Sequence, residues 1–133
     1  MPLIITAQNT DCSKPASSAE QDACADRVLA MADADLKQAF ADALQHFSST
    51  VDEKSDNVAL PKYDRDHEAR YKRIMRRDLT VSQKIWLQYR TAACTAVSDM
   101  YDGGTISPAA TSLCREEITR QRIKYLRDYF TED

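Results

Sequence analysis

Four cysteines, Cys12, Cys24, Cys94 and Cys114, are the residues of this 133-residue chain whose chemistry is most legible. Cysteines can pair oxidatively or hold a metal as thiolates. No CxxC pair occurs, and the two histidines, His46 and His67, stand far from every cysteine, which argues against zinc. An even number of cysteines at helix-compatible spacings implies two disulfides and an oxidising compartment such as a bacterial periplasm or the cell exterior. Of the three connectivities, geometry favours Cys12 with Cys24 and Cys94 with Cys114. Cys94 lies nine positions before Gly103 and Cys114 ten after Gly104. If the chain reverses at the glycines, a helical rise of about 1.5 Å per residue brings both thiols to nearly the same height.

Other chemistry is scarce. No Ser-His-Asp or Cys-His arrangement can be assembled around His46 and His67. Gly103 and Gly104 are the only glycines, so there is no phosphate-binding loop. Asp33 falls on an otherwise apolar helical stripe, and Arg90 is equally out of place on another. A buried charge must be paired, so the two are expected to meet. No enzyme, cofactor or metal site is expected. The basic run in residues 70–77 is interleaved with acidic neighbours and lacks aromatic stacking platforms, which reads as a solvated helix face rather than a nucleic-acid surface.

The elements that would position these residues are helical. With 29% charged residues and few glycines or prolines, the composition suits an all-α domain. Residues 1–16 read as an extended lead-in pinned by Cys12. Ser17 with Glu20 fits a capping box opening a first helix that reaches Phe47, with Leu29, Leu36, Phe40, Ala43 and Phe47 inward. Residues 48–61 read as a long inter-helix loop. A second helical stretch begins near Tyr63, and Thr80 with Gln83 leaves open a break near Asp78. Trp86, Arg90, Ala93, Cys94, Val97 and Tyr101 share one side of it. Ser107-Pro108 reads as an N-cap and first helical residue, with Cys114, Ile118, Gln121, Tyr125 and Tyr129 facing inward beyond it. The expectation is one domain over 1–133, an antiparallel bundle of three main helices with two disulfides.

Net charge is -3, unevenly divided: residues 1–60 hold four Lys/Arg against ten Asp/Glu, and residues 61–133 hold fourteen against eleven. Such asymmetry can steer a charged partner. No apolar run approaches the roughly 20 residues of a membrane span. The start of the chain lacks a leader's apolar and basic regions, so a leader is expected to have been removed or replaced, and a lipid anchor is left open. The turn at Tyr101, Asp102, Gly103, Gly104 and Thr105 is the most exposed feature of the expected hairpin. It is either a plain reversal or a preorganised binding loop.

Asp33-x-x-Leu36, Gln83-x-x-Trp86-x-x-Tyr89-Arg90-x-x-x-Cys94, Gly103-Gly104-Thr105-Ile106, Cys114 and Thr119-x-x-Arg122-x-x-x-Leu126, in this order, resemble the LprI-type lysozyme inhibitor family. The resemblance covers residues 12–126 and implies a small exported helical bacterial protein, periplasmic or lipid-anchored, associated with lysozyme resistance. Lys37 and Phe40 depart from the Asn and Tyr common there. The expectation is an inhibitor that occludes the cleft of a lysozyme-like glycoside hydrolase, either a host enzyme or a bacterial toxin met by an immunity protein. The turn would be the plug, and Asp22, Asp26 and Asp42 would attract a basic enzyme. The rival reading is an envelope interaction or regulatory module that inhibits nothing, using residues 48–61 or 70–77.

Overall fold

The structure, a computed structural model, describes residues 11–48 and 62–131. Most of the lead-in (residues 1–10) and of the long loop (residues 49–61) lies outside the described residues. Three helices account for the rest: α1 (Ser18–His46), α2 (Lys62–Met100) and α3 (Ser107–Phe130). There is no strand among the described residues.

Helix α1 opens on its capping box. The Ser17 hydroxyl accepts from the Glu20 amide at 3.2 Å, and the Glu20 carboxylate reaches back to the amide of Ala16. Its buried side is built mainly on alanine: Ala25, Ala32, Ala39 and Ala43, with Leu36 and the closing Phe47. Leu29 and Phe40, read as inward from their size, are only partly buried. Alanine at these spacings lets a neighbouring backbone approach closely, and the helix packed there is α3.

Helix α2 runs through Asp78 without a break. The Thr80 hydroxyl donates to the Arg76 carbonyl one turn back at 2.8 Å, a bond made inside a helix rather than at its start. Only Leu79 and Cys94 are buried in its 39 residues, so packing alone holds it weakly.

Helix α3 is the shared partner of the other two. Its buried face is Ala109, Ser112, Thr119, Arg122 and Leu126. That corrects the inward face expected from the sequence: Gln121 is exposed, and Tyr125 and Tyr129 are 45% and 72% exposed. The true face lies one position further along and is half polar, so it carries little apolar period. Ser107 is likewise not the cap. It is the first helical residue, and its buried hydroxyl donates to the Ser98 carbonyl at 3.2 Å, while Ile106 occupies the cap position.

Side-chain pairings fix how the helices lie. Along α2 and α3 they descend on one as they climb on the other: Ser98 with Ser107, Cys94 with Cys114, Arg90 with Thr119, Gln83 with Arg122. Along α1 and α3 they climb together, from Asp26 with Ser112 through Asp35 with Arg120 to the rings of Phe47 and Phe130. The apolar core gathers towards that last end, where Leu36, Ala39, Ala43, Phe47, Leu79 and Leu126 meet, flanked by Met75, Trp86, Ile123 and Phe130. Towards the opposite end the buried apolar side chains are small: Cys24, Ala25, Ala32, Cys94 and Ala109. There the disulfides take over, Cys12–Cys24 with Cα atoms 5.5 Å apart and Cys94–Cys114 with 5.7 Å.

Candidate functional site

Between the apolar core and the Cys94–Cys114 bridge, the α2–α3 seam is filled by two arginines and a tryptophan. Arg90 Nη1 donates to Asp33 Oδ1 of α1 at 2.5 Å and to Thr119 Oγ1 of α3 at 2.8 Å, so one guanidinium ties all three helices. Arg122 donates from Nε to Gln83 Oε1 at 3.0 Å and from Nη2 to Ser82 Oγ at 2.8 Å. Both guanidinium groups also lie over the Trp86 ring, at 5.2 Å for Arg90 and 5.9 Å for Arg122, and Arg122 lies 5.3 Å from the Tyr125 centroid. Stacking suits arginine because its planar cation is weakly hydrated and leaves the edge donors free for hydrogen bonds. Burial pulls the Arg122 guanidinium below its ordinary value. Asp33 keeps 45% of its side-chain surface exposed. The carboxylate expected in the interior therefore sits at the rim of the seam with water on one side.

This network is structural. Four of its N–H donations go to protein acceptors, on Asp33, Thr119, Gln83 and Ser82, and among the described residues no second carboxylate or histidine is joined to it. Among the described residues no group of three His, Cys, Asp or Glu side chains is placed to hold a metal ion. Nor is any helix there long and apolar enough to cross a membrane.

The turn between α2 and α3 has a different character. Asp102 and Gly103 take positive φ, 48° and 73°, and the Gly104 amide donates to the Tyr101 carbonyl at 2.9 Å. A left-handed glycine at a helix end is unstrained, whereas aspartate there is tolerated at a cost on the order of 1 kcal/mol. At Gly104 the constraint is space: an added Cβ would stand 3.1 Å from the Tyr101 carbonyl oxygen. The turn displays Met100, Tyr101 and Ile106 at 70%, 39% and 44% exposure. Tyr101, expected on the inward side of α2, thus belongs to the open end. Behind it, the Ser98 and Ser107 hydroxyls lie 3.1 Å apart, and the Cys94–Cys114 disulfide follows one turn further back.

The three aspartates expected to form an acidic face are differently engaged. Asp26 accepts from the Ser112 hydroxyl at 2.7 Å, Asp42 accepts from the Gln38 amide at 2.8 Å, and Asp22 is half-buried with Oδ1 lacking a hydrogen-bond partner among the described residues. Asp42 lies sixteen residues along α1 from Asp26, roughly 24 Å away, so the three do not form one cluster. Sequence reasoning also missed a cross-helix pair, Arg120 Nη1 with Asp35 Oδ2 at 2.5 Å. The Asp35 hydrogen bond lifts the Arg120 guanidinium above its usual value.

Comparison with protein families matches residues 12–126 to lysozyme inhibitor LprI. The chain belongs to the LprI family of lysozyme inhibitors. It is also similar to an uncharacterized protein of Rhizobium meliloti (strain 1021), 29% identical over 118 residues, which are 89% of this chain and 77% of that one. No solved structure gives a significant match. The residues that carry the LprI resemblance divide sharply in space. Asp33, Gln83, Trp86, Arg90, Thr119 and Arg122 form the seam network, with Leu36 and Leu126 in the core beside it. Gly103, Gly104, Thr105 and Ile106 make the open turn, and Tyr89 stands 58% exposed on α2. Most of the LprI pattern therefore builds the scaffold, and its chief exposed stretch is the turn.

Proposed function

We propose that the protein inhibits a lysozyme-type peptidoglycan hydrolase by setting residues 101–106 into the enzyme's cleft. The observation that carries this reading is the contrast within the family pattern: the seam residues are spent on structure, while the turn is exposed and held from behind by Ser98, Ser107 and the Cys94–Cys114 bridge. A rigid loop binds without losing much conformational freedom, so more of its contact energy appears as affinity. Lysozyme-type enzymes cut glycosidic bonds between two carboxyl groups, one of them protonated. The Tyr101 ring and the Ile106 side chain supply apolar contact in such a cleft. The Asp102 carboxylate accepts hydrogen bonds from groups that otherwise hold sugar hydroxyls or the leaving oxygen.

Disulfides at both ends of the sequence support a periplasmic or secreted location, where a host lysozyme or a competitor's hydrolase is met. Both share the same cleft chemistry. A turbidity assay with bacterial cell walls and a panel of such enzymes tests the reading: oxidised protein slows lysis by at least one of them at near-stoichiometric ratio. Undiminished lysis by every enzyme at large excess refutes it for that panel.

A further inference from the structure

The two disulfides differ in what surrounds them. Cys94 is fully buried and its bridge lies between α2 and α3, whereas Cys12 is exposed and only its partner Cys24, at 9%, is covered. Arg27, one turn after Cys24 on α1, sets its Nη1 3.6 Å from Cys12 Sγ. Its guanidinium is exposed, and that sulfur is its one hydrogen-bond or ionic partner among the described residues. Carboxylates are close by in sequence, but Asp11 accepts from Ser13, Glu20 from the Ala16 amide and Asp26 from Ser112, and Arg27 pairs with none of them. A cation left without a counter-charge beside an exposed cysteine sulfur is the electropositive setting in which thiol chemistry is fast.

We propose that Cys12 Sγ is a site of thiol–disulfide exchange with a small anionic thiol, one that carries carboxylates besides its sulfur. In the first step the external thiolate forms a bond to Cys12 Sγ and the Cys12–Cys24 bond breaks. The electron pair of that bond leaves on Cys24 Sγ, which takes a proton from water. In the second step another thiolate of the same kind attacks the external sulfur of the mixed disulfide, and Cys12 Sγ leaves and is protonated in turn. The net change oxidises two external thiols to one disulfide and reduces one protein disulfide to two thiols. Negative charge is shared among three sulfurs in each transition state, and Arg27 stands beside Cys12 Sγ, which takes part in both. The carboxylates of the incoming thiol meet the same guanidinium, whose fork of donors suits them. Cys24 is the leaving sulfur and not the one attacked, because it is covered while Cys12 is open to solvent. The apolar core and the 101–106 turn are held by other contacts, among them the Ser98–Ser107 pair and the Cys94–Cys114 bridge. Exchange therefore frees the lead-in from α1 and is independent of the inhibition proposed above.

Glutathione added in graded amounts to the folded, oxidised full chain tests this, with free thiols alkylated at intervals and located by peptide mass spectrometry. The expected first product carries glutathione on Cys12 and the alkyl group on Cys24, with Cys94 and Cys114 still joined and helicity unchanged. Arg27→Gln should slow its formation by about threefold or more, the scale of an exposed charge interaction, and Arg27→Glu should slow it further. Arg27→Lys should keep most of the rate. With cysteamine, whose ammonium offsets the charge of the attacking thiolate, the Arg27→Gln effect should shrink. Opening of both bridges together, glutathione on Cys24 in place of Cys12, a bridge inert until the chain is unfolded, or a rate indifferent to Arg27→Gln and Arg27→Glu overturns the proposal.

Discussion

Arg90 Nη1 stands 2.5 Å from Asp33 Oδ1, and the two charges are unequally buried, with 16% of the Arg90 side chain exposed against 45% of Asp33. Removing either partner therefore has unequal consequences. Arg90→Met leaves the fully buried Thr119 hydroxyl without this donor but lets water solvate Asp33. The expected loss is about 2 kcal/mol in urea denaturation, below the 3 to 5 of a fully buried broken pair. Asp33→Asn, at the wet side, should cost under about 1 kcal/mol.

Arg122 tests whether the seam depends on arginine geometry or on charge alone. Lysine keeps the cation but loses the fork that reaches Gln83 and Ser82 together and the plane that lies over Trp86 and Tyr125. Arg122→Lys should destabilise by about 2 kcal/mol and change the tryptophan fluorescence of the native state. Wild-type stability in this variant would mean the stacking contributes nothing.

The Cys94–Cys114 bridge closes a sequence separation of 20 residues. Replacing both cysteines by alanine should cost about 3 kcal/mol in the chain-entropy account. Towards the open end the buried apolar side chains are small, so amide exchange should accelerate first in residues 98–110 and least around Leu36 and Leu126.

Acid should loosen the local turn in which Ser13 donates to Asp11. The Ser13 hydroxyl and the Ser13 amide donate to the Asp11 carboxylate and hold it below the ordinary aspartate value. A carboxyl lowered in the folded state stabilises above its unfolded value, near 3.9, and that contribution fades as pH falls through the folded one. Ser13→Ala should move the Asp11 titration upward, observable by NMR.

Much of the architecture was legible because it depends on local signals: Ser17 and Glu20 start α1, the glycine pair ends α2, and the cysteine spacing shows which thiols meet. The α3 face was not, because Ser112, Thr119 and Arg122 are buried only through partners on other helices, and such partners leave no apolar period in their own segment. Alanine misled in the same way on α1, where small size rather than hydrophobicity selects the buried side. The turn was legible as a place, from its glycines. Its exposed chemistry, Tyr101 facing solvent and Asp102 at positive φ, depends on where α2 stops.

The most direct test of the turn as plug is the inhibition constant of Tyr101→Ala/Asp102→Ala against the enzyme that the wild type inhibits best, with helicity and thermal midpoint measured in parallel. Loss of inhibition by about tenfold or more in a protein still folded is the expected result. An unchanged inhibition constant would place the contact elsewhere on the molecule and contradict the account.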